Sequence, residues 1–153
     1  MSNVRFLPAA RVVGRAVAVA TMLYAAPALA QDTNACPVDG CQVHFASVEK
    51  DGDELKVTFE ANYEPDMAKN HLHVWWGENF DVKQVSNNAE TVHGVKQGSW
   101  IPTDEYPVFV TQAEASVKKR GNATSLCVSA GDRNHDIVDP ALFECRSVAD
   151  LVK

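Results

Sequence analysis

No apolar stretch in this 153-residue sequence reaches the ~20 residues that a bilayer-spanning helix needs. The most apolar run, Ala16 to Ala26, has 11 uncharged residues and falls short of that span. There is no Gly-x-Ser-x-Gly elbow and no glycine-rich phosphate loop, which removes two common sequence signatures of hydrolysis and nucleotide binding. Internal repeats, low-complexity tracts and interdomain linkers are missing, and so is any clear amphipathic helix. Methionine is scarce: beyond residue 30 only Met67 occurs, which argues against a methionine-rich Cu(I) carrier. Clustered positive charge is also lacking. Beyond residue 30 the chain has 11 basic and 20 acidic residues, a formal charge of −9. Nucleic acid and anionic membrane are therefore excluded as expected partners, because both bind clustered cations.

What is present begins with an address. Arg5, Arg11 and Arg15 precede the apolar run, and Ala28-Leu29-Ala30 follows it, with no acidic residue before position 31. A basic start, a short apolar core and a small-x-small end predict a secretory signal peptide over residues 1–30. Without an Arg-Arg pair the general secretory route is expected, and with no cysteine at position 31 a lipid anchor is not. Residues 31–153 then form one domain, periplasmic or secreted, with no membrane span. "KKRGN", Lys118 to Asn122, reads as a solvated hairpin tip.

All four cysteines, Cys36, Cys41, Cys127 and Cys145, lie in that exported part. An even count in an oxidising compartment predicts two disulfides, with three possible pairings. Cys36–Cys41 and Cys127–Cys145 each close a local loop and are the favoured pairs. The alternative for "CPVDGCQVH" is a zinc site of Cys36, Cys41 and His44, for which no fourth ligand is suitably spaced.

Hydropathy repeats mostly every two residues. Residues 41–50 place Val43, Phe45 and Ser47 on one face, and His44, Ala46 and Val48 on the other. Leu55, Val57, Phe59, Ala61 and Tyr63 then alternate with Lys56, Thr58, Glu60 and Asn62, and the Asp-Gly between the two runs predicts a β-hairpin. Further strands are expected at 71–78, 106–112 and 141–148, a short one at 80–86, and a pair around the Arg-Gly-Asn turn within 114–131. About seven short strands with frequent turns predict an all-β antiparallel sandwich.

The stretch "NHLHVWWGEN", Asn70 to Asn79, carries the chemistry. Residues two apart on a strand share a face, so Leu72, Val74 and Trp76 are expected in the core. His71, His73 and Trp75 then face outward, or into a cleft covered by a loop. Two neighbouring imidazoles can hold Cu or Zn, given a third ligand from among His44, Glu78, His93 and His135. "GDRNHDIVDP" brings Asp132, Asn134, Asp136 and Asp139 close together, an oxygen-rich loop that makes calcium a secondary candidate. It departs from the EF-hand pattern at Ile137 and Phe143. Trp75, Trp100 and Tyr106 are expected to supply a binding face for a protein or carbohydrate ligand.

"NHLHVWW", Trp100, "SLCVSAGDRNHDIV" and Cys145 together resemble a group of exported bacterial immunoglobulin-like domains without assigned activity, over Asn70 to Val148. That resemblance implies an immunoglobulin-like sandwich more than a function. It departs from antibody domains, in which one cysteine precedes the tryptophan strand, since Cys127 and Cys145 both follow it here. "HLHVWWGE" is also similar to the first half of the cupin metal motif, which implies His71, His73 and Glu78 as ligands. Pro65 and Val85 stand where that motif has glycines. The expectations, in order, are a non-enzymatic binding or interaction module, a transition-metal-binding protein using His71 and His73, and a cupin-like metalloenzyme. No catalytic residue is assigned.

Overall fold

The computed structural model describes residues 36–153; the signal-peptide expectation for 1–30 lies outside them. Seven strands form two antiparallel sheets: β1 (Val43–Asp51), β2 (Glu54–Ala61), β3 (His71–Trp76), β4 (Ile101–Thr103), β5 (Val108–Val110), β6 (Ser125–Gly131) and β7 (Phe143–Ser147). One sheet runs β1-β2-β5, the other β4-β3-β6-β7. No helix among the described residues is long and apolar enough to cross a membrane.

The inward faces of the two sheets make the main core. Val43, Phe45, Leu55, Val57, Phe59 and Phe109 from one sheet meet Leu72, Val74, Trp76, Leu126, Val128 and Ala130 from the other. The rings of Phe45 and Phe59 lie 5.4 Å apart, and Trp76 Nε1 donates to the Ser116 carbonyl at 3.2 Å. The hairpin β1–β2 forms as its alternation predicts, with one change. A bulge between Phe45 and Ser47 shifts the register, so Val48, not Ser47, turns toward the core.

Two local expectations give way to turn chemistry. Residues 80–86 hold no strand: Asp81 Oδ1 accepts from Lys83 N and Gln84 Oε1 accepts from Asp81 N, both at 3.0 Å, and this capping box starts a 3-10 turn over Val82–Gln84. The first half of 114–131 is not a strand either. Ser116 Oγ and Val117 N donate to the Glu54 carboxylate at 2.6 and 2.9 Å, and the chain takes two 3-10 turns, Ala113–Ala115 and Val117–Lys119. Conversely, Ile101–Thr103 pairs with β3 as an edge strand, where Pro102 can be tolerated because an edge need not donate on both sides.

Both disulfides have the favoured pairing, Cys36–Cys41 and Cys127–Cys145. Cys127 lies directly opposite Cys145 across β6 and β7. With Cys36 and Cys41 oxidised, the zinc alternative that needed both thiolates is removed.

Both faces of β3 are covered, so all six of its residues are buried. Its second face carries His71, His73 and Trp75, opposite Gly131, Ser129 and Cys127 of β6. The segment from Gly77 to Trp100 folds over this face. There Phe80, Val82, Val85 and Trp100 pack with Trp75, Cys127 and Ile137 into a second, smaller core. The solvated outer face allowed by strand alternation is therefore replaced by the covered cleft. Gly77 makes room for this packing, since a Cβ there would overlap Cys127 Sγ.

Candidate metal centre

His71 and His73 point from β3 into the covered cleft and are wholly buried. His135 joins them from the loop between β6 and β7 and is partly exposed. One ring nitrogen from each lies within 4.8 Å of the others, the one such group of three among the described residues. His71 Nε2 is 3.1 Å from His73 Nε2 and 3.0 Å from His135 Nδ1. Nitrogens about 2.0–2.1 Å from a shared metal ion stand about 2.9–3.4 Å apart for bond angles of ~90–110°. Both contacts fall in that range.

Proton placement favours the same conclusion. His73 Nδ1 lies 2.7 Å from the Val85 carbonyl oxygen, which can only accept, so Nδ1 carries the proton. In the neutral ring Nε2 is then a bare lone pair directed at His71. A single proton on His71 Nε2 serves one of its two short contacts well and the other poorly, whereas a cation serves all three nitrogens together. The Val85 carbonyl is also the outer partner that fixes tautomer and orientation in histidine–metal sites.

Burial keeps these rings neutral and ready to coordinate. Loss of solvent, helped by repulsion from His135, lowers the His71 pKa from 6.5 to about 4, against the pull of Asp132 and Asp104. Desolvation and the neighbouring His71 lower that of His73 to about 3.

Three local features hold the cluster. Gly131 leaves space for the His73 ring, which a Cβ would overlap. Trp100 packs beside that ring, with centroids 5.4 Å apart. The loop carrying His135 is clasped by the covering segment. Asn87 N donates to the His135 carbonyl at 2.8 Å, Asn88 N and Nδ2 donate to the Asp136 carboxylate at 2.8 and 2.7 Å, and Ile137 N donates to Ser86 Oγ at 2.8 Å. Four consecutive residues, Val85 to Asn88, therefore orient two of the three histidines. His135 itself is left-handed at φ 62°, an arrangement that costs roughly 1–3 kcal/mol for a non-glycine residue and gathers at functional sites.

The other sequence candidates lie elsewhere. Glu78 is turned to the far end of β6, where Thr124 Oγ1, Ser125 N and Ser125 Oγ donate to its carboxylate at 2.9, 3.0 and 2.9 Å. The cupin correspondence thus stops at the two histidines. His93 ends a π-helical turn, Ala89–His93, outside the cluster, and His44 pairs with Glu144 at 3.0 Å on the exposed side of β1. The oxygen-bearing loop side chains do not converge as calcium ligands. Asp132 accepts from Asn134 N and Asp136 N, Asp136 is spent on Asn88, and Asp139 accepts from Ala141 N. Trp75 is 1 % exposed and Trp100 is packed on His73, while the Tyr106 hydroxyl accepts from Ala61 N at 3.2 Å at the end of β2 in the other sheet. These three make no common aromatic face.

Alternation on β3 marked His71 and His73, and the loop sequence put His135 among the possible third ligands. Val85, Gly131 and the Ser86–Asn88 clasp carried no comparable signal, apart from the glycine standing where a strand meets a polar loop. Comparison with known proteins returns no matching family model, curated protein or solved structure.

Proposed function

We propose that this chain is an exported, immunoglobulin-like module that binds a divalent transition metal, Cu²⁺ or Zn²⁺, through His71, His73 and His135. The observation that carries this reading is the convergence of three imidazole nitrogens, with separations of 3.0 and 3.1 Å around His71 Nε2. Imidazole suits both metals, and the lack of any thiolate or thioether in the group disfavours Cu(I).

Export is supported by the two disulfides, which persist in oxidising compartments, together with the signal-like residues 1–30. The immunoglobulin-like assignment is supported by strand order. The second strand pairs with the fifth in one sheet, and the third, sixth and seventh are consecutive in the other, as in that fold's B–E and C–F–G neighbours. The staple differs, linking β6 to β7 within one sheet instead of bridging the two.

Isothermal titration of the protein with Cu²⁺ and with Zn²⁺ tests the proposal. One equivalent is expected to bind at micromolar concentration or tighter, and His71→Ala/His73→Ala to abolish it. Absence of binding by the unaltered protein would refute the reading.

A further inference from the structure

Resting on the three-histidine reading, the donor set has a further consequence. All three donors are neutral imidazoles, so a bound dication keeps its full charge. No carboxylate or thiolate belongs to the group among the described residues. The two carboxylates that act on His71 from a distance are engaged elsewhere. Asp132 Oδ1 accepts from Asn134 N at 2.8 Å and Asp136 N at 3.0 Å, and Asp104 Oδ2 lies 3.4 Å from Met67 N. Three ligands do not complete the shell of Cu²⁺ or Zn²⁺, and three protein ligands with an open position distinguish a reactive zinc site from a structural one.

The way in is narrow. His71 and His73 are 0 % exposed, so only the side of the partly exposed His135 can admit a ligand. Three cavities of about 300, 400 and 160 Å³ are lined by other residues, around Glu54 and Lys118, around Asp66 and Asp104, and around His44 and Phe143. None of the three offers an organic substrate a path to the histidines. Trp100 and Val85 close the cleft over His73.

We infer that the bound metal keeps one coordination position for an exogenous ligand, and that this ligand is water or a small anion of the azide, cyanide or halide kind. Charge favours the anion, since the dication faces only neutral donors. Size excludes a ring or a peptide, since both ligating β3 histidines are fully covered.

Titration of the Cu²⁺-loaded protein with sodium azide tests this, followed by the azide-to-copper charge-transfer absorption and by electron paramagnetic resonance. The expected result is a new band that saturates at one azide per copper with copper still bound, and no comparable change with imidazole at the same concentration. A resonance spectrum with three nitrogen couplings that azide leaves unaltered would overturn the inference while the three-histidine site stands, because the fourth donor would then come from the protein. Imidazole binding as tightly as azide would overturn the size limit. A protein that takes up no copper would sink the three-histidine reading itself.

Discussion

The imidazole of His73 lies over Gly131 so closely that a single added methyl group at Gly131 would overlap the ring. Gly131 ends β6 directly opposite His71, so the residue that faces one histidine makes the space for the other.

Gly131→Ala is therefore expected to displace His73 from its hydrogen bond with the Val85 carbonyl. Overpacking of this kind costs about 1–3 kcal/mol, and disturbing the orientation of a ligand costs roughly 10–100-fold in metal affinity. Thermal melts and metal titrations of the variant check both effects. Unchanged affinity would show that the ring's position does not matter for binding.

Asp136→Ala removes both hydrogen bonds that Asn88 donates to the Asp136 carboxylate at the partly exposed loop, and it alters no histidine. The clasp on His135 is weakened, whereas His73 keeps its hydrogen bond to the Val85 carbonyl. Metal affinity is expected to fall by about 10-fold or more, with only a small change in melting temperature. The nitrogen couplings of the Cu²⁺ form should drop from three toward two. Three couplings with undiminished affinity would mean that the clasp does not position His135.

Glu78→Gln separates the cupin correspondence from the observed cluster. Since Glu78 is engaged by Thr124 and Ser125, metal affinity is expected to stay the same. Acid stability should change instead. Burial pushes the Glu78 carboxyl up, but the hydrogen bonds from Thr124 and Ser125 outweigh it and hold the group at about 2, below its ordinary 4.5. The stabilisation is present above 4.5 and is lost as pH falls toward 2. The variant should lack this part of the acid transition in urea unfolding at a series of pH values. Lost metal binding would contradict the placement of Glu78.

The metal-free protein should also weaken in mild acid for the opposite reason. His71 and His73 are held neutral, with pKa values of about 4 and 3 against 6.5 when unfolded. The unfolded chain therefore takes up protons first. Stability is flat above pH 6.5 and declines as pH falls from 6.5 toward 4, by roughly a few kcal/mol for the pair. Urea midpoints between pH 8 and 4 check this, and His71→Gln/His73→Gln should flatten the slope. A midpoint independent of pH in the unaltered protein would show that the two rings are not buried neutral.

How much of this was legible beforehand follows from the range of each interaction. The hairpin β1–β2 and the core face of β3 are written in local alternation, and Leu72, Val74 and Trp76 lie where the period of two puts them. Alternation sees only one strand at a time, however. It placed His71, His73 and Trp75 together without revealing that Gly77 to Trp100 covers them, because that covering depends on contacts with Val82, Val85 and Trp100. Short-range hydrogen bonds overrode apparent strand pattern at Asp81, and bonds to the distant Glu54 did so at Ser116. The third histidine was one of four candidates because His135 meets His71 across 64 positions of chain, which no spacing rule encodes.

The central claim is that one metal ion sits between His71, His73 and His135. Anomalous diffraction from crystals of the Zn²⁺-loaded protein, recorded on both sides of the zinc edge, tests it most directly. The account predicts a single strong peak about 2.0–2.1 Å from one ring nitrogen of each of the three histidines. A peak at His44 and Glu144, or a loaded protein with no density at the three rings, would contradict it.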